Sequence, residues 1–213
     1  TNDEEIKPCR TYFWKKIKDK VQGKAMVEAA LEINHWCAGE VMYQGTDMRT
    51  GSALEIYRSG VGRCGEEAVF VVNVMRSAGI PARPVYVPRW SHCDDNHAWV
   101  EVWCDGDWHY LGACEPEAVL DKGWFTNAAS RAMMIGSRWY DRAMPDEKVI
   151  GKDGMNRIIN LLGKYAKTRW ITITVEDLDG TPAAGAKVRA EVMNYGELSL
   201  IHISEPTRRT PIS

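Results

Sequence analysis

The spacing of apolar residues changes along the chain, and each pattern predicts a different kind of secondary structure. Between residues 26 and 43 apolar side chains recur at i, i+3, i+4 and i+7, which is the spacing of one helix face. A later segment that begins at Cys64 is apolar on almost every side, which predicts a buried central helix ending at Gly79. A looser helical pattern covers residues 11–21.

Beyond residue 82 the apolar period shortens from about 3.6 residues to two, which is typical of strands. The alternation predicts strands over 83–90, 97–104 and 108–114. The Asp105-Gly106 pair between the last two strands predicts a tight hairpin. A buried helix followed by an antiparallel meander predicts an α+β fold.

The rest of the chain divides into segments of different character. A helix is predicted over 130–137, and apolar residues alternate on both sides of a turn at 179–180, which predicts the start of a β-sandwich. SLIHISEPTR, which begins at residue 199, is typical of a translated sequencing adapter, and the chain starts with Thr, so we expect its native N-terminus to be missing. The predicted division is a main domain over 1–145, a linker over 146–167, a truncated β-sandwich over 168–198 and read-through over 199–213.

The composition is that of an ordinary globular protein and argues against nucleic acid, a membrane or a metal ion as a partner. Of the 213 residues 26% are charged and the formal net charge is −2, so neither nucleic acid nor an anionic membrane is indicated. No apolar run is long enough to cross a bilayer. The six cysteines form no CxxC pair and no zinc spacing with the five histidines, so we expect no metal and no cofactor. Their irregular spacing favours one reactive thiol among inert ones, although it is also compatible with one or two disulfides.

Two residues are placed for thiol chemistry. Cys64 opens the buried helix, where unpaired backbone N–H groups lower a thiol pKa, and the neighbouring Gly65 leaves room for a substrate backbone. His97 opens a strand that packs beside that helix, and a thiol with an imidazole suits acyl transfer. The ordinary alternative is a small buried cysteine and an unrelated surface histidine.

Three segments resemble the core of the transglutaminase-like superfamily, a branch of the papain-like thiol enzymes: GRCGEEAVFVVNVMRSAGIPAR, NHAWVEVW and GDWHYLGACEP. The resemblance covers residues 53–116 and implies that Cys64 is the nucleophile and His97 its base. It implies a thiol-dependent amide hydrolase that acts on proteins or peptides through a thioester. Other readings are a cross-linking acyltransferase, a glycopeptide amidase, or a non-catalytic module that binds peptide or glycan.

One position departs from the family pattern. The family has an Asp four residues after the tryptophan of the last strand, and counting from Trp108 gives Gly112. A two-residue hairpin loop would put Cys114 opposite His97, whereas a three-residue loop would put Glu115 there. We therefore predict Glu115 as the replacement for the missing orienting carboxylate.

Aromatic residues surround the predicted site. Alternation puts Trp99 and Trp103 on the face of His97, which predicts an aromatic cleft, with Trp99 and Gly65 as substrate contacts. Trp36 or Gln44 is predicted to supply a side-chain donor to an oxyanion hole, and Arg83 is predicted to be a structural ion-pair partner. EDLDGTPAAGAKVRAEV, over 176–192, resembles the opening of a carboxypeptidase-regulatory-like β-sandwich, which implies a bacterial secreted or cell-surface enzyme.

Overall fold

The structure is a computed structural model that describes residues 8–45, 50–140, 145, 147–154, 156–169, 171–194 and 197–204. Its helices are α1 (Arg10–Val21), α2 (Met26–Glu40), α3 (Ala53–Ser59), α4 (Cys64–Ser77), α5 (Thr126–Ala129) and α6 (Leu162–Tyr165). Its strands are β1 (Met42–Tyr43), β2 (Val61–Gly62), β3 (Ala82–Val87), β4 (His97–Cys104), β5 (Asp107–Leu111), β6 (Gly136–Trp139), β7 (Val149–Asp153), β8 (Asn156–Asn160), β9 (Val188–Asn194) and β10 (Glu197–Ser204).

Helix α4 is the central element of the core, as its sequence predicts. It packs on one face of the sheet against β3 and β4, and α1, α2 and α3 cover it on other sides. Its fully buried residues lie on several sides of the helix, as expected for a helix without a solvent face. They are Ala68, Phe70, Val71, Val74 and Met75.

A six-stranded antiparallel sheet forms the second layer, with strand order β5-β4-β3-β6-β8-β7. The predicted α+β class and antiparallel meander are confirmed. Strand β4 presents Val100 and Val102 to the core around α4, whereas Trp99 faces a second apolar cluster on the opposite side. This alternation follows from the two-residue period of a strand.

Two predictions for the segment after β5 are wrong. The helix predicted over 130–137 is absent: α5 ends at Ala129, and β6 begins at Gly136 and pairs with β3 and β8. The predicted linker over 146–167 contains β7, β8 and α6, and the two strands form the far edge of the main sheet. Their residues alternate too briefly to signal strands, and pairing within the sheet decides their conformation.

The C-terminal segment contains a separate pair of strands. Strands β9 and β10 pair with each other in an antiparallel, two-stranded sheet, so the strand predicted over 188–192 is confirmed. No strand forms over the predicted residues 171–175, although Gly180 closes a turn by donating to the carbonyl of Asp177 at 2.9 Å. The β-sandwich, its family and an extracytoplasmic location stay predictions. Trp170 and residues 205–213 of the predicted read-through lie outside the described residues.

Candidate active site

The first residues of α4 are held by a local carboxylate. Glu66 accepts the backbone N–H of Arg63 at 2.9 Å through Oε2, and its Oε1 accepts the N–H of Gly51 at 3.1 Å. The first bond is that of a helix cap, and the second ties the segment before α3 to the start of α4. Helix α4 therefore begins at Cys64, and its thiol is half-buried at the helix N-terminus.

His97 begins β4, paired with Val87, and is only 6% exposed. Aromatic rings surround its imidazole, with centroid distances of 4.7 Å to Trp124 and 5.0 Å to Phe125. Its Nε2 is buried and has no hydrogen-bond partner among the described residues. A buried ring nitrogen without a hydrogen bond costs free energy, so we expect His97 Nε2 to acquire a hydrogen-bond partner.

The ends of α4 and β4 meet at the Cys64 thiol. The backbone N–H groups of Ala98, the residue after His97, and of Gly65 are directed at the sulfur and lower its pKa. Burial has the larger effect and raises the pKa of Cys64, and the carboxyl of Glu67 raises it further. The thiol is therefore uncharged at neutral pH, although the helix N-terminus alone lowers the pKa of a thiol.

The imidazole is uncharged as well. Burial lowers the pKa of His97 to about 4, and the opposing influence of Asp95 is smaller. The resting pair at neutral pH is thus a neutral thiol and a neutral imidazole. In general-base catalysis, a neutral thiol and a neutral imidazole transfer the proton as the thiol attacks, rather than before the substrate arrives.

The chain turns sharply after β5, at the position where the resemblance implies an orienting carboxylate. Strand β5 ends at Leu111, and Gly112 then forms an isolated bridge with Glu115 across a tight turn. Cys114 within this turn has φ of 56°, which is the left-handed region that few residues other than glycine adopt. A Cβ at Gly112 would lie 2.8 Å from the Cβ of Glu115 and still closer to its Oε2. Glu115 therefore occupies the space of the side chain that residue 112 lacks.

Glu115 and His97 both contact the same tryptophan. Trp124 donates its Nε1–H to Glu115 Oε1 at 2.9 Å, while its ring packs on His97. Glu115 Oε2 is buried without a hydrogen-bond partner among the described residues, as is His97 Nε2. Burial raises the pKa of Glu115, and the bond from Trp124 opposes this shift.

Strand register does not bring Glu115 to His97. Cys104 pairs with Asp107 across the two-residue loop, so the register that puts Glu115 opposite His97 is wrong. The alternative register puts Cys114 there, but the β4–β5 ladder ends at the pair Val100–Leu111. Glu115 reaches the neighbourhood of His97 through the turn and Trp124 instead.

The predicted contact residue Trp99 lies in the core. It is 0% exposed, stacks on Phe125 with a centroid distance of 4.8 Å, and donates its Nε1–H to the Tyr165 hydroxyl at 2.9 Å. A side chain with no exposed surface cannot contact a substrate, so this assignment is corrected. The face of β4 that carries Trp99 is covered by later parts of the chain, and Trp124, 63% exposed, is the accessible aromatic residue instead.

The remaining residues predicted to contact the substrate or the oxyanion are Gly65, Trp36 and Gln44. Gly65 faces open space, because a Cβ added there would meet nothing within 4 Å, and its role as a substrate contact stays a prediction. Trp36 stacks on Tyr57 with a centroid distance of 6.0 Å, and Gln44 is exposed, so neither is shown as a donor at the thiol.

Arg83 is a structural ion-pair partner, as predicted. Its Nε lies 2.6 Å from Glu101 Oε2, and its Nη1 lies 2.7 Å from Glu147 Oε1. The guanidinium also stacks over the Trp108 ring at 4.1 Å. These contacts tie β3 and β4 to the segment before β7, so Arg83 belongs to the framework of the sheet.

Sequence reasoning missed the chemical importance of Glu67. This residue follows Cys64 by one helical turn and is only 3% exposed. Burial, together with the charges of Glu115 and Glu66, raises its pKa from 4.5 to about 8. The available signal was an acid on the Cys64 face of an otherwise apolar helix, which the sequence explains equally well by the helix dipole.

All six cysteines are free thiols. Within the described ranges, no group of three or more His, Cys, Asp or Glu side chains is arranged to hold a metal ion. In the same part of the chain no helix has both the length and the apolar character that crossing a membrane requires.

Several solved structures resemble this chain in their backbone trace. Solved structures with related chain traces include a candidate protease from Parabacteroides distasonis ATCC 8503, with 18% identity, a TM-score of 0.45 and 60% of this chain covered. They also include a candidate cysteine protease from Cytophaga hutchinsonii, with 18% identity, a TM-score of 0.43 and 71% covered. LapG of Legionella pneumophila has 15% identity and a TM-score of 0.42, with 54% of this chain and 70% of LapG covered. The chain spans only 25% and 57% of the first two structures.

No curated protein matches the chain. The model of the transglutaminase-like superfamily matches residues 15–113, a stretch that runs from α1 to the turn after β5 and includes both Cys64 and His97. The match agrees with the resemblance carried by the sequence motifs and with the helix-on-sheet architecture of the fold. Over residues 15–113 this chain is therefore similar to the transglutaminase-like superfamily.

Proposed function

We propose that the protein is a thiol-dependent amide hydrolase, a cysteine peptidase or amidase, that acts on proteins or peptides. One observation carries the proposal: the thiol of Cys64, at the start of α4, lies against the backbone N–H of Ala98, which directly follows His97. The start of α4, which carries the proposed nucleophile, and the start of β4, which carries the proposed base, therefore lie next to each other. The family's thiol chemistry supports the same reading.

Each residue has a defined task in the proposed reaction. The Cys64 sulfur attacks the amide carbonyl carbon while His97 takes the thiol proton, and the imidazolium passes that proton to the leaving nitrogen as the C–N bond breaks. The product is a thioester and a free amine. His97 then takes a proton from water, whose oxygen attacks the thioester, and the sulfur leaves and is reprotonated. The backbone N–H of Cys64 is the first candidate for stabilising the oxyanion.

Glu115 is proposed to orient His97. Its unpartnered Oε2 and the unpartnered His97 Nε2 are both buried, and Trp124 contacts both side chains. As His97 takes the thiol proton, Oε2 accepts the Nε2–H and stabilises the imidazolium that forms, whichever electrophile Cys64 attacks. This pairing would supply the carboxylate that Gly112 cannot.

Trapping of the acyl-enzyme tests the proposal. The protein is incubated with a defined library of unmodified and Asn-glycosylated peptides, quenched in acid, and the Cys64 peptide is examined by mass spectrometry. We expect a thioester adduct on Cys64 that disappears over time with release of the hydrolysed product. The adduct should be absent in Cys64→Ser and strongly reduced in His97→Ala.

The competing functions give different products. Added primary amine that appears in the product at the expense of hydrolysis would identify a cross-linking acyltransferase, and adducts from glycosylated peptides alone would identify a glycopeptide amidase. Peptide binding without any adduct, at equal affinity in wild type and Cys64→Ser, would identify a binding module and overturn the proposal.

A further inference from the structure

Asn34 is a buried amide with an unusual set of partners. It lies on α2, is only 1% exposed, and follows Ala30 and Ile33 on the buried face of that helix. Its Nδ2 donates to the carbonyl of Gly112 at 2.9 Å and to the carbonyl of Glu115 at 3.3 Å. Its Oδ1 accepts the backbone N–H of Cys114 at 3.0 Å. One side chain thus contacts three of the four backbone units of the turn.

The turn needs such a partner. Cys114 adopts φ of 56°, a conformation that is unfavourable for a residue with a Cβ. Within the turn, the N–H of Glu115 donates to the Gly112 carbonyl at a long 3.2 Å. The bonds with Asn34 supply partners for the Cys114 N–H and the Glu115 carbonyl, and a second donor for the Gly112 carbonyl.

The shape of this turn decides where the Glu115 carboxyl lies. Because the chain reverses between Gly112 and Glu115, the Glu115 side chain folds back over Gly112 and into the space beside it. There it meets the indole N–H of Trp124. A turn with a more extended Cys114 would direct Glu115 elsewhere.

We propose that Asn34 is a positioning residue for the active site, which acts through Glu115 by holding the 112–115 turn in its left-handed form. The proposal rests on the role proposed above for Glu115. It adds α2, an element that carries neither Cys64 nor His97, to the machinery of the site. It also gives a purpose to an amide that interrupts an apolar helix face.

The test measures the reactivity of Cys64 and needs no substrate. Iodoacetamide alkylation of each cysteine is followed by mass spectrometry from pH 6 to 9 in wild type, Asn34→Ala, Glu115→Gln and the double variant, beside thermal unfolding. If Asn34 acts through Glu115, Asn34→Ala slows the alkylation of Cys64 about as much as Glu115→Gln, at least about threefold. The double variant should then be no slower than either single variant, as expected for coupled residues.

Two further variants separate positioning from general stability. Cys114→Gly accepts the left-handed conformation without strain, so Asn34→Ala/Cys114→Gly should recover part of the lost Cys64 reactivity. If Asn34→Ala does not fold, Asn34→Ala/Cys114→Gly is measured in its place. The matched control is Asn73→Ala, which removes another amide, bonded to the Val69 carbonyl at 2.8 Å on α4, and should leave Cys64 reactivity within about twofold.

The outcomes distinguish this inference from the proposed function. Additive losses in the double variant, or no recovery with Cys114→Gly, would show that Asn34 serves only stability and would overturn the inference alone. Unchanged Cys64 reactivity in Glu115→Gln would overturn the orienting role of Glu115, and the Asn34 inference with it. His97→Ala is alkylated in parallel, and unchanged Cys64 reactivity in that variant would overturn the Cys64–His97 pair itself.

Discussion

The two halves of the candidate site are built in different ways. The nucleophile half is local, because Glu66 binds the amide of Arg63 three residues before it and α4 begins at Cys64. The turn half is long-range, because Asn34 binds backbone groups 78 to 81 positions further along the chain. A local half forms with its helix, whereas the long-range half exists only once α2 packs against the sheet. The turn half is therefore more sensitive than the nucleophile half to substitutions in distant parts of the chain.

Removal of the proposed nucleophile has the largest expected effect. Cys64→Ser keeps the size of the side chain but loses the thiol, so we expect acyl-enzyme turnover to fall on the order of 10⁴-fold or more. Turnover is measured as release of peptide product. The control is Cys93→Ser, a partly buried thiol in the loop before β4, which should retain activity within about threefold. Equal activity of Cys64→Ser and wild type would remove Cys64 from the reaction.

Exchange of the carboxylate between the two ends of the turn tests the long-range half. Gly112→Asp alone should lower activity about 100-fold, because its side chain collides with that of Glu115. In Gly112→Asp/Glu115→Ala the space is vacated and a carboxylate returns to the family position, so much of the activity should recover. The measurement is kcat/KM for Gly112→Asp, for Glu115→Ala and for the double variant. A double variant less active than both singles would contradict this account of the turn.

The buried acid of the local half makes stability depend on pH. Glu67 loses its proton near pH 4.5 when unfolded but only near about 8 when folded, so the folded state is destabilised as pH rises through this window. Glu67→Gln removes the titration and should raise the free energy of unfolding by roughly 3 kcal/mol at pH 7, with little change at pH 4. Urea unfolding at both pH values measures it. An equal effect at the two pH values would show that Glu67 does not titrate as described.

His97 gives the opposite dependence. Burial holds its pKa near about 4, below the ordinary 6.5, so the unfolded chain binds the proton first and stability is lost as pH falls through this interval. The expected loss for this residue is roughly 3 kcal/mol between pH 7 and pH 4. His97→Gln should flatten that part of the stability profile in urea unfolding. An unchanged slope would place the titration on another group.

Removal of the cap charge at α4 should have the smallest effect. Glu66→Gln keeps one carbonyl oxygen but weakens the bonds to the amides of Arg63 and Gly51, for a loss of about 1 kcal/mol in unfolding free energy. Because both bonds end on Glu66 in the first turn of α4, alkylation of Cys64 should change more than that of Cys104. If both cysteines change alike, Glu66 supports the whole fold rather than the helix start.

The sequence predicted most accurately those elements whose pattern is regular and local. The buried helix that begins at Cys64 and the hairpin at Asp105-Gly106 follow from apolar spacing and turn chemistry, and both are confirmed. The strands β7 and β8 were missed because their apolar runs are short, and their partner strand β6 lies in a segment predicted to be helical. Pairing with neighbours decides such strands, and single-sequence patterns carry little of that information.

The site shows the same division. Cys64 and His97 could be named from the sequence because each opens a regular element within a recognisable motif, and the comparison places both in the matched region. Trp99 was assigned to a cleft because alternation gives the face of a residue but not what covers that face. Asn34 carried no signal beyond a polar residue on an apolar helix side.

The sequence by itself determined that the chain has a buried helix with a cysteine at its start, a histidine at the start of an antiparallel strand, and a glycine where the family has a carboxylate. Only the tertiary structure decided that Glu115 fills the space beside that glycine, that Trp124 contacts both Glu115 and His97, and that Asn34 holds the turn. The physical reason is the range of the interactions. Helix caps and alternation act between near neighbours, whereas burial, pKa shifts and the contacts of a turn depend on residues that meet only when the chain is folded.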